Sequence, residues 1–262
     1  MTQVTERQQR EREYYDTYGS QRASQVQVDF DPISGTERRP WNPYWRVFEL
    51  AKERFKPGGR LLDFGCGWGS NTVVFAKIGY TVDGFDISPK NVEATRTLAG
   101  RYGLGDRVTA QVSPAETLPY PDKTFDLVVG VDILHHVDIA RAIVEVRRVL
   151  KVGGTAIFRE PLVQPMFDAF RNSPLGQWIA PNKPSFERHI TEDERKLNPA
   201  DMAILRATFP ELEIESFRMI SRLDVLLPSQ TMRLEKLDRA LSAIPGFTWT
   251  RGTGIIVMTR EN

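Results

Sequence analysis

Three glycines and two acids are the residues of this sequence whose types and spacing point most directly to chemistry. The segment LLDFGCGWGS places Gly65, Gly67 and Gly69 directly after an apolar run. Asp63 precedes this loop, and Asp86 follows its first glycine by roughly 20 residues, a separation at which an acid binds ribose hydroxyls in nucleotide folds. Glycine permits a positive φ and lets a ligand contact the main chain. We therefore expect a ligand to lie against the loop, with Asp86 bonded to its ribose.

The spacing of the glycines argues against a dinucleotide. The dinucleotide motif G-x-G-x-x-G has glycine at its sixth position, where this sequence has Ser70, and the third glycine falls at the fifth. The loop also holds the single cysteine of the chain, Cys66. No basic residue stands beside it in sequence, so we interpret Cys66 as a small residue that fills the loop rather than a nucleophile.

A second polar group follows two later apolar runs. His135 and His136 come after FDLVVGVDIL, and Arg159 and Glu160 end TAIFRE. Adjacent residues cannot face the same direction, so we expect at most one histidine to face a site. Neutral imidazole suits proton removal from a hydroxyl near pH 7. His135, His136 and Glu160 are therefore candidate catalytic residues, with a structural histidine and a satisfied ion pair as the alternatives.

Alternating apolar and helical patterns predict the elements that position these residues. Strands are predicted at 60–64, 80–86, 107–112, 124–131, 155–160, 212–219 and 254–260, and helices at 42–56, 70–79, 88–103, 138–150, 199–210 and 229–244. Continuous apolar strands between helices indicate a mostly parallel sheet that is covered on both faces. The pattern predicts a doubly wound, Rossmann-like α/β fold with an antiparallel seventh strand. Gly153 and Gly154 are expected to end the helix before the fifth strand.

The order of these motifs resembles the class I S-adenosylmethionine-dependent methyltransferases, and most closely their small-molecule "methyltransferase type 11" branch. The matching features are the D-x-G-x-G-x-G loop from Asp63, Asp86 at the end of the second strand, PAETLPY, FDLVVGVDILHH and RVLKVGG. The resemblance covers about residues 58–160. It implies methyl transfer by in-line displacement from the sulfonium to a small-molecule acceptor, and we expect an O-methyltransferase that uses no metal.

The resemblance also implies a role for each matching residue. Asp63 would receive the ammonium group of the methionine moiety, and Asp86 would bind the ribose. The other residues predicted to bind the cofactor are Gly65, Cys66, Gly67, Gly69, Ile87, Ala115, Glu116, Val131 and Asp132. The family often has Asp where this chain has Pro114, so the sequence departs from the pattern beside Ala115 and Glu116, which would meet the adenine edge.

Composition and patterning set the frame around the site. The 262 residues carry a formal net charge of +1, which favours neither a nucleic-acid partner nor a membrane surface. The sequence shows neither a secretory signal nor a run of about 18 apolar residues, so we expect a cytoplasmic protein without a membrane span. Residues 1–40 lack apolar periodicity and predict an N-terminal arm. A methyltransferase domain is predicted over 41–262, with a proline-rich insert at about 161–198.

The arm and the insert supply most candidates for binding the acceptor. The residues predicted to bind it are Tyr14, Tyr18, Trp41, Arg159, Phe167 and Arg171. Either segment could close the site or pair two subunits in a homodimer. Two other functions stay open at this point: a non-catalytic methyltransferase-like interaction module, and a nicotinamide-dependent oxidoreductase.

Overall fold

The strand that carries Asp63 lies in the middle of one sheet. The computed structural model describes residues 5–22, 26–35, 42–163, 169, 173–174, 195–217, 227–242, 244 and 252–262. The strands are β1 (Arg60–Phe64), β2 (Thr81–Asp86), β3 (Val108–Val112), β4 (Phe125–Val131), β5 (Leu150–Pro161), β6 (Leu212–Phe217) and β7 (Thr253–Thr259). Their order in the sheet is β3-β2-β1-β4-β5-β7-β6. The first five strands are parallel, and β7 runs antiparallel to both β5 and β6. The predicted fold class is confirmed.

Helices connect these strands and cover the sheet. They are α1 (Glu6–Arg22), α2 (Asp31–Ser34), α3 (Pro43–Glu53), α4 (Ser70–Ile78), α5 (Pro89–Arg101), α6 (Ile139–Val149), α7 (Pro199–Thr208) and α8 (Thr231–Ser242). Helix α5 begins as the sequence predicts, because the Ser88 hydroxyl accepts from the Asn91 amide and Pro89 occupies the first turn. None of the helices within the described residues is long and apolar enough to cross a membrane.

Buried aromatic side chains fill both faces of the sheet. On one face, Phe64 packs edge-on against Phe85 and Phe158, with ring centroids 4.8 and 5.4 Å apart. On the other face, Phe48 of α3 packs against Phe75 of α4 at 5.2 Å. The strand order reverses between β1 and β4, so their carboxyl ends border the crevice in which open α/β sheets bind ligands.

Two features differ from the sequence prediction. Strand β5 begins at Leu150, directly after α6, so Gly153 and Gly154 lie within the strand and do not end the helix as predicted. A register shift against β4 and a φ of 76° at Gly153 accommodate the early start. The N-terminal arm forms the helix α1. Its inward positions are mostly polar, which is why the absence of apolar periodicity suggested no helix there.

Candidate active site

A cleft opens where the carboxyl ends of β1 to β4 meet, and α1 lies along it. The open cleft spans about 830 Å³, including the solvent at its mouth. The lining residues come from α1, the glycine loop and the segments that follow β2, β3 and β4. They are Gln8, Glu11, Tyr15, Gly65, Gly67, Trp68, Phe85, Asp86, Ile87, Asn91, Ser113, Ala115, Glu116, Val131, Asp132, Ile133, His136 and Val137.

The glycine loop forms a floor of bare main chain. Gly65, Gly67 and Gly69 all have a positive φ, at 78°, 52° and 90°. A Cβ at Gly65 would lie 2.7 Å from the Ile133 side chain, and a Cβ at Gly69 would lie 2.7 Å from Thr95. A Cβ at Gly67 would meet no atom within 4 Å and would project into space that a ligand could fill. The loop therefore fits a ligand that contacts the backbone closely.

Asp86 stands at the end of β2 with its carboxylate held in place. The Gly67 amide donates to Oδ2 at 3.0 Å, and the Ser88 amide donates to Oδ1 at 2.9 Å. The Asn91 side chain also donates to Oδ1, at 3.2 Å. The side-chain oxygen Oδ1 of Asn91 is buried at the cleft and has no hydrogen-bond partner among the described residues. After these three hydrogen bonds, the Asp86 carboxylate still has acceptor positions beside the glycine loop, as binding of ribose hydroxyls would require.

Asp63 lies deeper than the cleft. It is 2% exposed and is absent from the cleft wall, and the Thr72 hydroxyl donates to it at 2.5 Å. Burial raises the pKa of this carboxyl to about 7, opposed by the Thr72 hydrogen bond. The buried carboxyl is therefore harder to ionise than a carboxyl in water. Its predicted contact with an ammonium group stays a prediction.

The two histidines have different partners, although their rings pack together with centroids 4.2 Å apart. Nδ1 of His135 lies 2.6 Å from Glu160, and the other oxygen of Glu160 accepts from the Ile133 and Leu134 amides. Glu160 is fully buried. This pair therefore fixes the loop after β4. His136 instead lines the cleft, with Nε2 3.2 Å from the Tyr15 hydroxyl and Nδ1 3.3 Å from Glu11.

Helix α1 is held over the cleft by polar contacts to three successive loops. Gln8 donates to the Glu116 carboxylate at 2.8 Å, whose other oxygen accepts from the Asp138 amide at 3.0 Å. Asp16 accepts from the Ser88 hydroxyl at the start of α5. The Arg7 guanidinium donates to the His135 carbonyl oxygen at 3.3 Å. One face of α1 thus bridges the loops after β2, β3 and β4.

The structure brings about half of the residues singled out from sequence into this cleft. Those on the wall are Gly65, Gly67, Asp86, Ile87, Ala115, Glu116, Val131, Asp132 and His136. Those that are not on the wall are Asp63, Cys66, Gly69, His135, Glu160, Arg159 and Tyr14. Arg159 forms an ion pair with Asp132, which has a φ of 55°, and Tyr14 is 42% exposed. Trp41, Phe167 and Arg171, most of the 161–198 insert and the side chain of Tyr18 lie outside the described residues.

Sequence reasoning did not assign a site role to several wall residues. Gln8 and Glu11 belong to α1 and are spaced by three residues. This helical spacing of polar side chains was a readable signal. Asn91 is the third residue of α5 after a Ser-Pro start, where a side chain can reach back toward the preceding strand end. Ser113, Ile133 and Val137 carry no such signal.

Comparison with known proteins gives the family. A model described as a methyltransferase domain matches residues 62–158, the segment that holds β1 to β5 and the glycine loop. This match and the relatives named below support a class I S-adenosylmethionine-dependent methyltransferase domain over these residues. The family resemblance predicted from the sequence is confirmed. This methyltransferase domain includes Asp63, Asp86 and both histidines of the HH pair.

Relatives of this methyltransferase domain act on different acceptors by name. The chain is 38% identical over 112 residues to 27-O-demethylrifamycin SV methyltransferase of Amycolatopsis mediterranei (strain S699), covering 42% of this chain and 41% of that one. It is 30% identical over 132 residues to the ubiquinone/menaquinone biosynthesis C-methyltransferase UbiE of Geotalea daltonii (strain DSM 22248 / JCM 15807 / FRC-32), covering 49% and 56%. The chain spans about half the length of the curated relatives it matches.

Solved structures share the fold over nearly the whole chain. The [4+2]-cyclase SpnF is 23% identical, with a TM-score of 0.62 and 97% of each chain covered. Geranyl diphosphate C-methyltransferase from Streptomyces coelicolor A3(2), solved with Mg²⁺, geranyl diphosphate and S-adenosyl-L-homocysteine, is 17% identical, with a TM-score of 0.58 and 98% and 99% covered. At these identities the match shows the shared fold and not the acceptor.

Proposed function

We propose that the protein transfers a methyl group from S-adenosylmethionine to a hydroxyl oxygen of a small-molecule acceptor. One observation carries this proposal. A single cleft joins a backbone floor at Gly67, a held carboxylate at Asp86 and an imidazole at His136. These three features would bind a nucleoside at one end of the cleft and place a proton acceptor at the other.

The residues present fit the methyl donor. Asp86 would accept from the ribose hydroxyls, since its carboxylate is held and still has free acceptor positions. Ile87, Ala115 and Val131 offer apolar wall for the adenine, and Asp63 would balance the ammonium group behind the loop. When bound, S-adenosylmethionine supplies a methyl group that its sulfonium already activates. The chain therefore has to orient the acceptor, exclude water and accept a proton.

His136 is the proposed general base, and this supports oxygen as the methylated atom. His135 and Glu160 are bonded to each other within the fold, whereas His136 lines the cleft beside Val137. A hydroxyl acceptor has to lose a proton during transfer, and a neutral imidazole at the site can take it. A thiol or an activated carbon needs such a base less. The 27-O-demethylrifamycin SV methyltransferase, which the chain resembles, is named for an oxygen acceptor.

The test is methyl transfer from S-adenosyl-[methyl-¹³C]methionine to a panel of matched acceptors. The panel pairs hydroxylated aromatics and hydroxylated lipids with their amine and deoxy counterparts, and mass spectrometry locates the label. We expect label only on oxygen, and a His136→Gln variant that still binds S-adenosylhomocysteine but transfers about 10²–10⁴-fold more slowly.

Three other outcomes would contradict the proposal in different ways. Label on nitrogen or carbon would keep the methyl donor and reject the acceptor. Binding of NADH or NADPH without binding of S-adenosylhomocysteine would favour an oxidoreductase. Binding of S-adenosylhomocysteine with no turnover of any acceptor by the wild type would favour a non-catalytic interaction module.

A further inference from the structure

We propose that Glu11 of α1 is a positioning residue for His136. Its carboxylate holds the imidazole as the tautomer with the proton on Nδ1, and so leaves Nε2 unprotonated toward the cleft. The base would then be complete only when α1 lies over the site. This inference rests on the proposed function, because it assigns the partner of the proposed base.

The contact that carries the proposal is buried and otherwise unexplained. Oε2 of Glu11 lies 3.3 Å from Nδ1 of His136, and the two side chains are 6% and 9% exposed. Neither atom has a hydrogen-bond partner among the described residues, and their 3.3 Å approach does not have hydrogen-bond geometry. A buried carboxylate oxygen without a donor costs free energy. A proton on Nδ1 of His136, together with a small rotation of the ring, would satisfy both atoms at once.

The other nitrogen of the same ring faces a different group. Nε2 of His136 lies 3.2 Å from the Tyr15 hydroxyl, and the two rings meet edge-on with centroids 5.8 Å apart. Tyr15 follows Glu11 by one helical turn, so both side chains project from one face of α1. A hydroxyl can donate to an unprotonated Nε2, whether it belongs to Tyr15 or to an acceptor bound in the cleft.

The chemistry of the three groups selects one arrangement of protons. Neutral imidazole has one N–H and one acceptor nitrogen, and an ionised carboxylate can only accept. Glu11 therefore requires the proton on Nδ1, which leaves the lone pair on Nε2. When the hydroxyl proton of an acceptor passes to Nε2, the ring becomes a cation and Glu11 balances its charge. The same logic operates where a carboxylate orients a catalytic histidine.

Because Glu11 belongs to α1, its contact with His136 depends on the docking of this helix. The helix is held by the Gln8 contact to Glu116 and the Asp16 contact to Ser88. Neither contact involves Glu11 or His136. A site without α1 would keep the glycine loop and Asp86 but would lose the orienting carboxylate. Binding of the methyl donor and activation of the base are thus supplied by different parts of the chain.

The experiment reads the tautomer directly by ¹⁵N NMR of the histidine rings at pH 8. The chain has three histidines, and a His136→Gln variant assigns the signals of interest. We expect a protonated Nδ1 and an unprotonated Nε2 at His136 in the wild type. Glu11→Leu, which keeps apolar bulk but cannot accept, should move the proton to Nε2. Glu11→Gln, whose carbonyl oxygen can accept from Nδ1, should restore the wild-type pattern.

A matched control and one binding measurement separate the outcomes. Glu13 lies on the same helix but is exposed, so Glu13→Gln should leave the ring unchanged. The proposal is overturned if the wild type carries the proton on Nε2, or if Glu11→Leu and Glu11→Gln give the same spectrum. Calorimetry with S-adenosylhomocysteine tests the underlying function separately: no binding by the wild type would reject the proposed function while the tautomer result stood.

Discussion

At the residue scale, the Asp63 carboxyl carries the clearest consequence for pH. Burial raises its pKa from 3.8 to about 7. The folded protein therefore keeps this proton up to about pH 7, whereas the unfolded chain releases it near pH 4. Because the folded state binds more protons in this window, the contribution of the group to stability falls as the pH rises from about 4 to about 7.

We predict that Asp63→Asn removes this loss. The amide is neutral at every pH, and its oxygen can still accept from Thr72. The free energy of unfolding of the variant, relative to the wild type, should therefore rise between about pH 4 and pH 7 and then level off. Urea unfolding at a series of pH values measures the difference. A difference that stays constant across this window would show that the carboxyl is not perturbed.

Gly67 provides a second prediction at the same scale, with Gly58 as its control. Both residues have a positive φ, 52° and 76°, and a Cβ at either would meet no atom within 4 Å. Gly67→Ala and Gly58→Ala should therefore cost similar stability, about 1 kcal/mol each. Only the Gly67 variant adds a methyl group to the cleft floor, so we expect it alone to weaken S-adenosylhomocysteine binding, by at least about tenfold. Calorimetry on both variants decides, and equal affinities would contradict the proposed contact.

At the element scale, the sequence predicted well those elements whose buried positions carry apolar side chains. Strands β1 and β4 are buried on both faces, so apolar runs mark them. The glycine loop was readable because backbone conformation restricts the residue type there. The helix α1 was not predicted, since its inward positions at Gln8 and Glu11 are polar and its docking depends on hydrogen bonds. The start of β5 was misplaced because the pair Gly153 and Gly154 was read as a stop.

The polar docking of α1 predicts how this element responds to mutation. Asp16→Ala removes the acceptor of the Ser88 hydroxyl and should loosen the helix without disturbing the sheet. We expect faster amide hydrogen exchange across residues 6–22 and unchanged exchange in β1 and β4. Glu13→Ala, which alters an exposed position of the same helix, should change neither. Equal exchange in the Asp16→Ala and Glu13→Ala variants would mean that the Ser88 contact does not hold α1.

At the scale of the whole molecule, the cleft should link ligand binding to global stability. A ligand present at about 100 times its dissociation constant adds about 2.7 kcal/mol to the folded state. For a chain of 262 residues we expect S-adenosylhomocysteine to raise Tm by about 5 °C or more. Asp86→Asn should abolish most of this rise, because the amide cannot accept from the ribose as a carboxylate does.

Asp83 supplies the control on the same strand. It is buried like Asp86, but its carboxylate is paired with Arg60 at 2.7 Å and with the Thr109 hydroxyl at 2.6 Å, and it is not on the cleft wall. Asp83→Asn should therefore lower Tm without ligand and keep the full rise with S-adenosylhomocysteine. If both variants lose the rise equally, the effect belongs to the stability of β2 and not to a bound ribose. If only Asp86→Asn loses it, ligand binding and global stability are joined through the end of this one strand.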